Sequence, residues 1–209
     1  MSESDYEAFE PNFRISEDPA FSNWTSQLGR LPSSALSIRL ASATAPDGRR
    51  LKDLQIVCSP ISVRSVRENA STINDERVLI AEIDGVHVGF CISTKGSKAS
   101  DPMFLQVVAV APGAQRRGVG IALMTAAAAY EPERDIVLAT QDDNLAARAL
   151  NEKYARSIGA KIYRVRISAY RNKDLGIQRG MGYRAWAIQR PTLDSERTCA
   201  GTEEGNPGP

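Results

Sequence analysis

The sequence has few of the residues that form disulfide frameworks and metal sites. Its 209 residues include three cysteines, Cys58, Cys91 and Cys199, and a single histidine, His87. An odd number of widely spaced cysteines is typical of reduced thiols, which predicts a cytoplasmic protein. No Cys/His cluster has the spacing of metal ligands, so no metal is expected.

Charge of one sign and long apolar runs are equally scarce. The formal net charge of +1 gives no general reason to expect nucleic acid as a partner. No apolar run approaches the roughly 20 residues that span a membrane, and the acidic N-terminus has no apolar signal core. The apolar share of 42% predicts a globular protein, and the length suits one domain with a sizeable core.

Composition divides the chain into three parts. Residues 1–30 are mostly polar with scattered aromatics, which predicts a partly ordered N-terminal arm that packs on the domain; a disordered tail is the alternative. Residues 31–190 form the predicted domain. Residues 191–209 lack apolar periodicity and predict a disordered C-terminal tail.

Apolar runs separated by turn residues predict a sheet with flanking helices. A hairpin is expected across Asp84-Gly85, a favoured type I′ pair, and residues 49–75 are expected to hold two helical or irregular segments. The predicted helices are Ile121–Tyr130 and Asn144–Ser157. The predicted strands are Ala35–Ala41, Val78–Ile83, Val86–Ser93, Met103–Val110, Asp135–Thr140, Lys161–Ser168 and Tyr183–Gln189.

The most informative segment runs from the Met103–Val110 strand into the Ile121–Tyr130 helix. A Pro-Gly break and a basic, glycine-punctuated loop connect them, which places backbone N–H groups and the positive end of a helix dipole together. Gly118 and Gly120 have no Cβ, so a phosphate can approach the backbone closely. Since Arg116 and Arg117 add positive charge, the predicted ligand is a pyrophosphate.

The loop matches neither a nucleotide P-loop nor a Gly-x-Gly-x-x-Gly dinucleotide loop. The pattern Gln115-x-x-Gly118-x-Gly120, with Val-x-Pro upstream, instead resembles the acyl-CoA loop of the GNAT superfamily of N-acetyltransferases. The resemblance covers roughly residues 35–190. It also includes an opening strand, a hairpin, a fifth strand and a helix, at Ser37–Ala41, Val78–Ser93, Asp135–Thr140 and Asn144-x-x-Ala147-x-x-Leu150.

The resemblance implies a mixed, mostly antiparallel α/β (α+β) fold with splayed central strands, and acetyl transfer from acetyl-CoA to a primary amine. It assigns pantetheine binding to Val108, Ala109 and Val110. Asn144 is a further pantetheine contact, or alternatively an ordinary helix N-cap. The pyrophosphate would lie on Gln115, Arg116, Arg117, Gly118, Val119 and Gly120.

The catalytic residues are less well defined. The family's thiolate-protonating tyrosine usually lies about two turns beyond the asparagine; here the helix tyrosine is Tyr154, one turn later, with Tyr170 and Tyr183 as alternatives. The general base is assigned to Glu82, and a carboxylate after the fifth strand is the alternative. A catalytically silent acyl-CoA-binding domain is the competing function.

Residues 161–190 are rich in arginine and lysine, with Asp174 as the only acid. Arg164 and Arg166 alternate, which predicts that they project from one sheet face. This basic region is either a solvated surface or a site for CoA phosphates or an acidic acceptor. An acceptor such as aminoacyl-tRNA is an alternative, although no RNA-binding motif is present. The sequence leaves the acceptor unidentified and a homodimer open.

Overall fold

The computed structural model describes residues 18–43, 46–178 and 180–191. Most of the predicted C-terminal tail and the first part of the predicted arm lie outside these residues. The helices are α1 (Pro19–Leu28), α2 (Asp47–Val57), α3 (Val66–Asp75), α4 (Val119–Ala129), α5 (Leu145–Ser157) and α6 (Asn172–Leu175). The strands are β1 (Leu36–Leu40), β2 (Arg77–Ile83), β3 (Val86–Lys95), β4 (Met103–Val110), β5 (Ile136–Gln141), β6 (Lys161–Val165) and β7 (Tyr183–Gln189).

These strands form one mixed sheet in the order β1-β2-β3-β4-β5-β7-β6. Only the β4–β5 pair is parallel among the neighbouring strands of this sheet. The β2–β3 turn has positive φ at both Asp84 (52°) and Gly85 (71°), as a type I′ turn requires. The predicted fold class and hairpin are therefore confirmed.

The two central strands separate along their length. β4 and β5 pair only from Met103 to Leu105, although β4 continues to Val110 and β5 to Gln141. The separation begins at a β-bulge, because Ser93 of β3 pairs with Leu105 while its neighbour Ile92 pairs with Val107. The space between residues 106–110 of β4 and residues 139–141 of β5 is called the β4–β5 gap below.

Helices cover both faces of the sheet. α4 packs along β1–β4 and against α5, and a Cβ on Gly89 of β3 would lie 3.4 Å from Leu123 of α4. α2 and α3 pack on the opposite face, where α6 also closes a second apolar cluster around Phe104 and Leu175. This arrangement leaves the carboxyl ends of β4 and β5 at one end of the molecule.

The first described helix, α1, packs on the domain. Asp18 caps its N-terminus by accepting from Ala20 N–H, and its side chain pairs with Arg49 of α2. Trp24 is 2% exposed, donates its indole N–H to the His87 carbonyl at 3.0 Å, and lies under the Arg50 guanidinium. Part of the predicted arm is thus packed against the sheet.

β6 is shorter than the sequence predicts. β6 ends at Val165, and Arg166 caps a 3-10 helix over Ile167–Ala169. Arg164 therefore lies on β6, whereas Arg166 lies just beyond its end with an extended backbone, and their projection from one face stays a prediction.

Candidate functional site

The loop after β4 has the geometry of an anion site. A 3-10 turn over Pro112–Ala114 leads to Gly118, whose φ of 81° reverses the chain into α4. The first helical hydrogen bond runs from Ala122 N–H to the Gly118 carbonyl at 3.0 Å. The amides before Ala122 lie in the first turn of α4, where backbone N–H groups and the helix dipole favour an anion.

Glycine is favoured at positions 118 and 120 of this loop for different structural reasons. A Cβ on Gly118 would meet nothing within 4 Å, so its conformation, and not crowding, favours glycine there. A Cβ on buried Gly120 would lie 3.0 Å from the Leu150 side chain of α5. The missing Cβ of Gly120 therefore lets α4 and α5 pack closely, whereas Gly118 faces open space.

The polar side chains of the loop connect it to its neighbours. Gln115 donates its side-chain amide to the Val110 carbonyl at 3.3 Å, which fixes the end of β4. Arg117 donates to the Pro32 carbonyl, in the segment between α1 and β1. Arg116 is exposed and has a φ of 63°. Both arginines thus lie at the N-terminus of α4.

The backbone of β4 offers donors toward the β4–β5 gap. Ala111 N–H bonds to the Val88 carbonyl of β3 at 2.8 Å, so the N–H of Val110 points the other way. The same alternation turns the N–H of Val108 toward the gap and that of Ala109 toward β3. The N–H groups of Val108 and Val110, in the predicted pantetheine strand, therefore face the gap, where a ligand could accept from them.

Asn144 stands at the start of α5, directly beyond the end of β5. Its Oδ1 accepts from Ala147 N–H at 3.0 Å, so it is the N-cap of the helix. The cap uses the carbonyl oxygen, and its NH₂ group remains able to donate to a ligand. Capping and the predicted pantetheine contact are compatible.

Tyr154 lies away from this end of the molecule. It is in the last turn of α5, about 15 Å along the helix from Asn144, and is 2% exposed. Burial raises the pKa of Tyr154, opposed by nearby Arg190. Arg190 itself bonds to Asp135 and to the Ala128 carbonyl, at the start of β5 and the end of α4. The structure therefore does not bring Tyr154 to the gap.

Glu82 belongs to a polar cluster formed with Arg39, Asp47 and His87. Arg39 donates twice to the Asp47 carboxylate, at 2.7 and 2.8 Å, and once to Glu82 at 2.8 Å. The His87 Nε2 lies 3.0 Å from an Arg39 nitrogen and 3.2 Å from a Glu82 oxygen. Glu82 thus sits on β2, two strands from β4, with its carboxylate engaged by Arg39.

Three pKa values in this cluster are shifted, and that of Arg39 is raised by its hydrogen bonds to Asp47. Hydrogen bonds from Arg39 hold the pKa of Asp47 below its usual value, against the opposing effect of burial. Burial lowers the pKa of His87, although the Glu82 carboxylate opposes this. The cluster joins β1, β2 and β3 to the N-terminus of α2. It is a structural pairing that the sequence analysis missed, because no local pattern links Arg39 to Asp47.

We expect Asp47→Asn to lower the free energy of unfolding at neutral pH by about 2–3 kcal/mol. The side chain of Asp47 is 1% exposed and would lose its ion pair with Arg39. The folded state lowers the pKa of Asp47. The stabilisation is therefore present above pH 3.8, the ordinary pKa of aspartate, and is lost as pH falls through the folded pKa of Asp47. Urea titrations of both proteins at neutral and acidic pH measure the difference.

The exposed Asp143 provides the matched control. Asp143→Asn should change the free energy of unfolding by under about 0.5 kcal/mol. In the wild type, the free energy of unfolding should already decline as pH falls below 6.5, the ordinary pKa of histidine. The reason is that the pKa of His87 is lowered in the folded state, so the unfolded state binds its proton first. An Asp47→Asn deficit that persists unchanged at acidic pH would contradict the ion-pair explanation.

Over the part of the chain that the structure describes, no helix is long and apolar enough to cross a membrane. The same residues contain no group of three or more His, Cys, Asp or Glu side chains arranged to hold a metal ion.

The sequence and the fold both match known acetyltransferases. The model of the acetyltransferase (GNAT) family matches residues 49–155. The diaminobutyrate acetyltransferase of Paenibacillus lautus, solved with L-2,4-diaminobutyric acid and coenzyme A, superposes with a TM-score of 0.61 at 21% identity, covering 76% of this chain and 96% of that one. No curated protein matches the chain.

Two further solved structures share the fold. The ribosomal-protein-S18-alanine N-acetyltransferase of Escherichia coli superposes with a TM-score of 0.56 at 19% identity, covering 76% of this chain and 96% of that one. Arabidopsis thaliana Naa50, solved with the bisubstrate analogue CoA-Ac-MVNAL, gives a TM-score of 0.52 at 18% identity, covering 72% of this chain and 97% of that one.

Proposed function

We propose, for a chain that belongs to the acetyltransferase (GNAT) family, that it transfers an acetyl group from acetyl-CoA to a primary amine. One observation carries the proposal: the β4–β5 gap and the anion site at the N-terminus of α4 adjoin the same end of β4. A ligand with an extended amide chain and a pyrophosphate fits both features at once. The three solved relatives are named as acetyltransferases, and two are complexes with coenzyme A or an analogue that contains it.

The residues present suit such a ligand. The N–H groups of Val108 and Val110 face the gap and would bond to an extended amide chain as a neighbouring strand does. Open space around Gly118 admits a phosphate, and Arg116 adds charge beside it. We therefore propose that acetyl-CoA is held by Val108, Ala109 and Val110, by Asn144, and by the loop of Gln115, Arg116, Arg117, Gly118, Val119 and Gly120.

When bound, acetyl-CoA would supply the acetyl group as a thioester. The part of this chain is to hold the thioester beside the amine and to stabilise the developing negative charge on its oxygen. The Val108 N–H is the donor best placed for that oxygen, because it faces the gap just beyond the point where β4 and β5 separate. Fixed backbone donors need no reorganisation during the reaction, which is why a strand suits this role.

The proton-transfer residues stay predictions. Glu82 is paired with Arg39 on β2, and Tyr154 is buried in the last turn of α5. Gln106, the residue of the bulge, borders the β4–β5 gap, and its side chain donates to the Lys173 carbonyl at 3.3 Å. A glutamine transfers no proton, and a base acting through water is consistent with this arrangement.

The proposed function is tested by thiol release from acetyl-CoA in the presence of a panel of primary amines, with mass spectrometry of the products. Amine-dependent thiol release together with a product heavier by one acetyl group would support it. Tight acetyl-CoA binding without acetyl transfer to the panel or to a cell extract would contradict it, and would favour a silent acyl-CoA-binding domain instead.

We expect Tyr154→Phe to leave turnover within about twofold of the wild type, far from the roughly 10²–10⁴-fold contribution of a general acid or base. Steady-state kinetics with saturating acetyl-CoA measure this. The reason is the distance of Tyr154 from the gap, so a loss of a hundredfold with unchanged acetyl-CoA affinity would return Tyr154 to the catalytic site. Tyr183→Phe, a substitution on β7 beside β5, is measured in the same assay.

A further inference from the structure

A basic recess lies at the end of β6 and the start of β7. A cavity of about 550 Å³ opens there, where β6 turns away after Val165 while β7 continues. Three arginines line it, Arg164, Arg166 and Arg184. Arg164 and Arg166 are exposed, and the only carboxylate paired with the three in this part of the structure is Asp142, 2.9 Å from Arg184. The recess therefore carries a net positive charge.

This cavity continues toward the proposed active site. A second cavity of about 480 Å³ shares Ile167, Ser168, Tyr183 and Arg184 with the first, so the two form one recess along residues 166–178 and 180–182. It also reaches Ile177 and Met181.

Two contacts connect this segment to the β4–β5 gap. A Cβ on Gly176 would lie 2.8 Å from the Gln106 side chain of β4. The Gln141 side chain of β5 donates to the Met181 carbonyl at 3.0 Å. The segment that forms the recess therefore touches both strands that border the gap.

We propose that the arginine-lined recess binds a carboxylate of the acceptor, so that the acetylated substrate is an amine that also carries an acidic group. The inference rests on the proposed acetyl transfer. β6, which carries Arg164, lies two strands beyond β5, so this arginine is about 10 Å, two strand spacings, from the β5 side of the gap. An acceptor of that length places its amine at the gap while guanidinium groups, which suit carboxylates, hold its other end.

Two sources would present this chemistry, a small ω-amino carboxylate or a peptide with acidic residues after its free amino terminus. The experiment measures binding calorimetrically, with coenzyme A present, for ω-amino carboxylates of increasing length and for the matching carboxamides. A second arm compares the peptide Ser-Glu-Glu with Ser-Gln-Gln. We expect the acidic member of at least one series to bind roughly ten- to a hundredfold more tightly than its neutral counterpart.

The double variant Arg164→Gln, Arg166→Gln should remove that preference and leave coenzyme A affinity unchanged. The matched control, Arg67→Gln with Arg156→Gln, removes two exposed arginines elsewhere and should preserve the preference. The preference should also shrink as salt rises, because exposed charges are screened over about 8 Å at physiological ionic strength.

Equal binding of acidic and neutral ligands in both series, or equal loss in the control variant, would overturn the inference. A weaker coenzyme A affinity in the double variant would also overturn it and assign these arginines to a CoA phosphate. Carboxylate-selective binding without acetyl transfer would leave the recess as assigned and contradict the proposed function, so the two failures are distinguishable.

Discussion

Gly118→Glu is expected to raise the dissociation constant for acetyl-CoA by about 100-fold or more. The substituted carboxylate would stand at the N-terminus of α4, where it would occupy the anion site and repel the pyrophosphate. Because nothing lies within 4 Å of a Cβ at Gly118, the side chain fits without a clash. Calorimetric titration with acetyl-CoA measures the loss.

Two controls separate charge from backbone strain. Gly118→Gln imposes the same left-handed conformation without the charge, and should weaken binding about tenfold less than Gly118→Glu. Gly85→Glu places the charge at another open glycine, with a φ of 71° in the β2–β3 turn, and should leave affinity unchanged. Equal affinities for the glutamate and glutamine variants of Gly118 would contradict the anion-site assignment.

Gly120→Glu is a less informative experiment than the sequence alone indicates. The sequence pattern explains both glycines of the loop in the same way, by the close approach of a phosphate to the backbone. Only the packing of α4 against α5 shows that a Cβ on Gly120 would meet Leu150. A substitution there changes helix packing as well as the anion site, so a loss of binding would not isolate the ligand contact.

The sequence predicted those elements of the fold whose conformation depends on residues close to one another along the chain. β4 (Met103–Val110) and β7 (Tyr183–Gln189) have the predicted bounds, because each is an apolar run of β-type residues bordered by turn residues. The Asp84-Gly85 turn followed from the need for two positive φ angles. The end of β6 was missed because Ile167 continues the apolar alternation, although a 3-10 helix begins at that residue.

Features that depend on distant residues were not predictable in the same way. The ion pair of Arg39 with Asp47 joins β1 to α2. The distance of Tyr154 from the gap depends on where α5 starts and on its direction along the sheet. The arginine recess depends on how residues 166–168 and 180–182 lie beside β7. Each is set by tertiary packing, which the spacing of residues along the chain does not encode.

Trp24→Ala is expected to lower the free energy of unfolding by about 3–5 kcal/mol, the usual cost of removing a large buried aromatic side chain. Trp24 is 2% exposed, and the variant would also leave the His87 carbonyl without its indole donor. Equilibrium urea unfolding measures the change. Trp24→Phe keeps a ring beside Arg50 and should cost less than Trp24→Ala.

Trp24→Ala should also weaken acetyl-CoA binding, because α1 packs against the loop that forms the anion site. The end of α1 packs so closely on this loop that a Cβ on Gly113 would overlap the Leu28 carbonyl oxygen, and Arg117 bonds to Pro32 just beyond. Detaching α1 would release both contacts, so we expect a roughly tenfold higher dissociation constant for Trp24→Ala under native conditions. An unfolding free energy within about 1 kcal/mol of the wild type, with unchanged affinity, would show that this arm is independent of the domain.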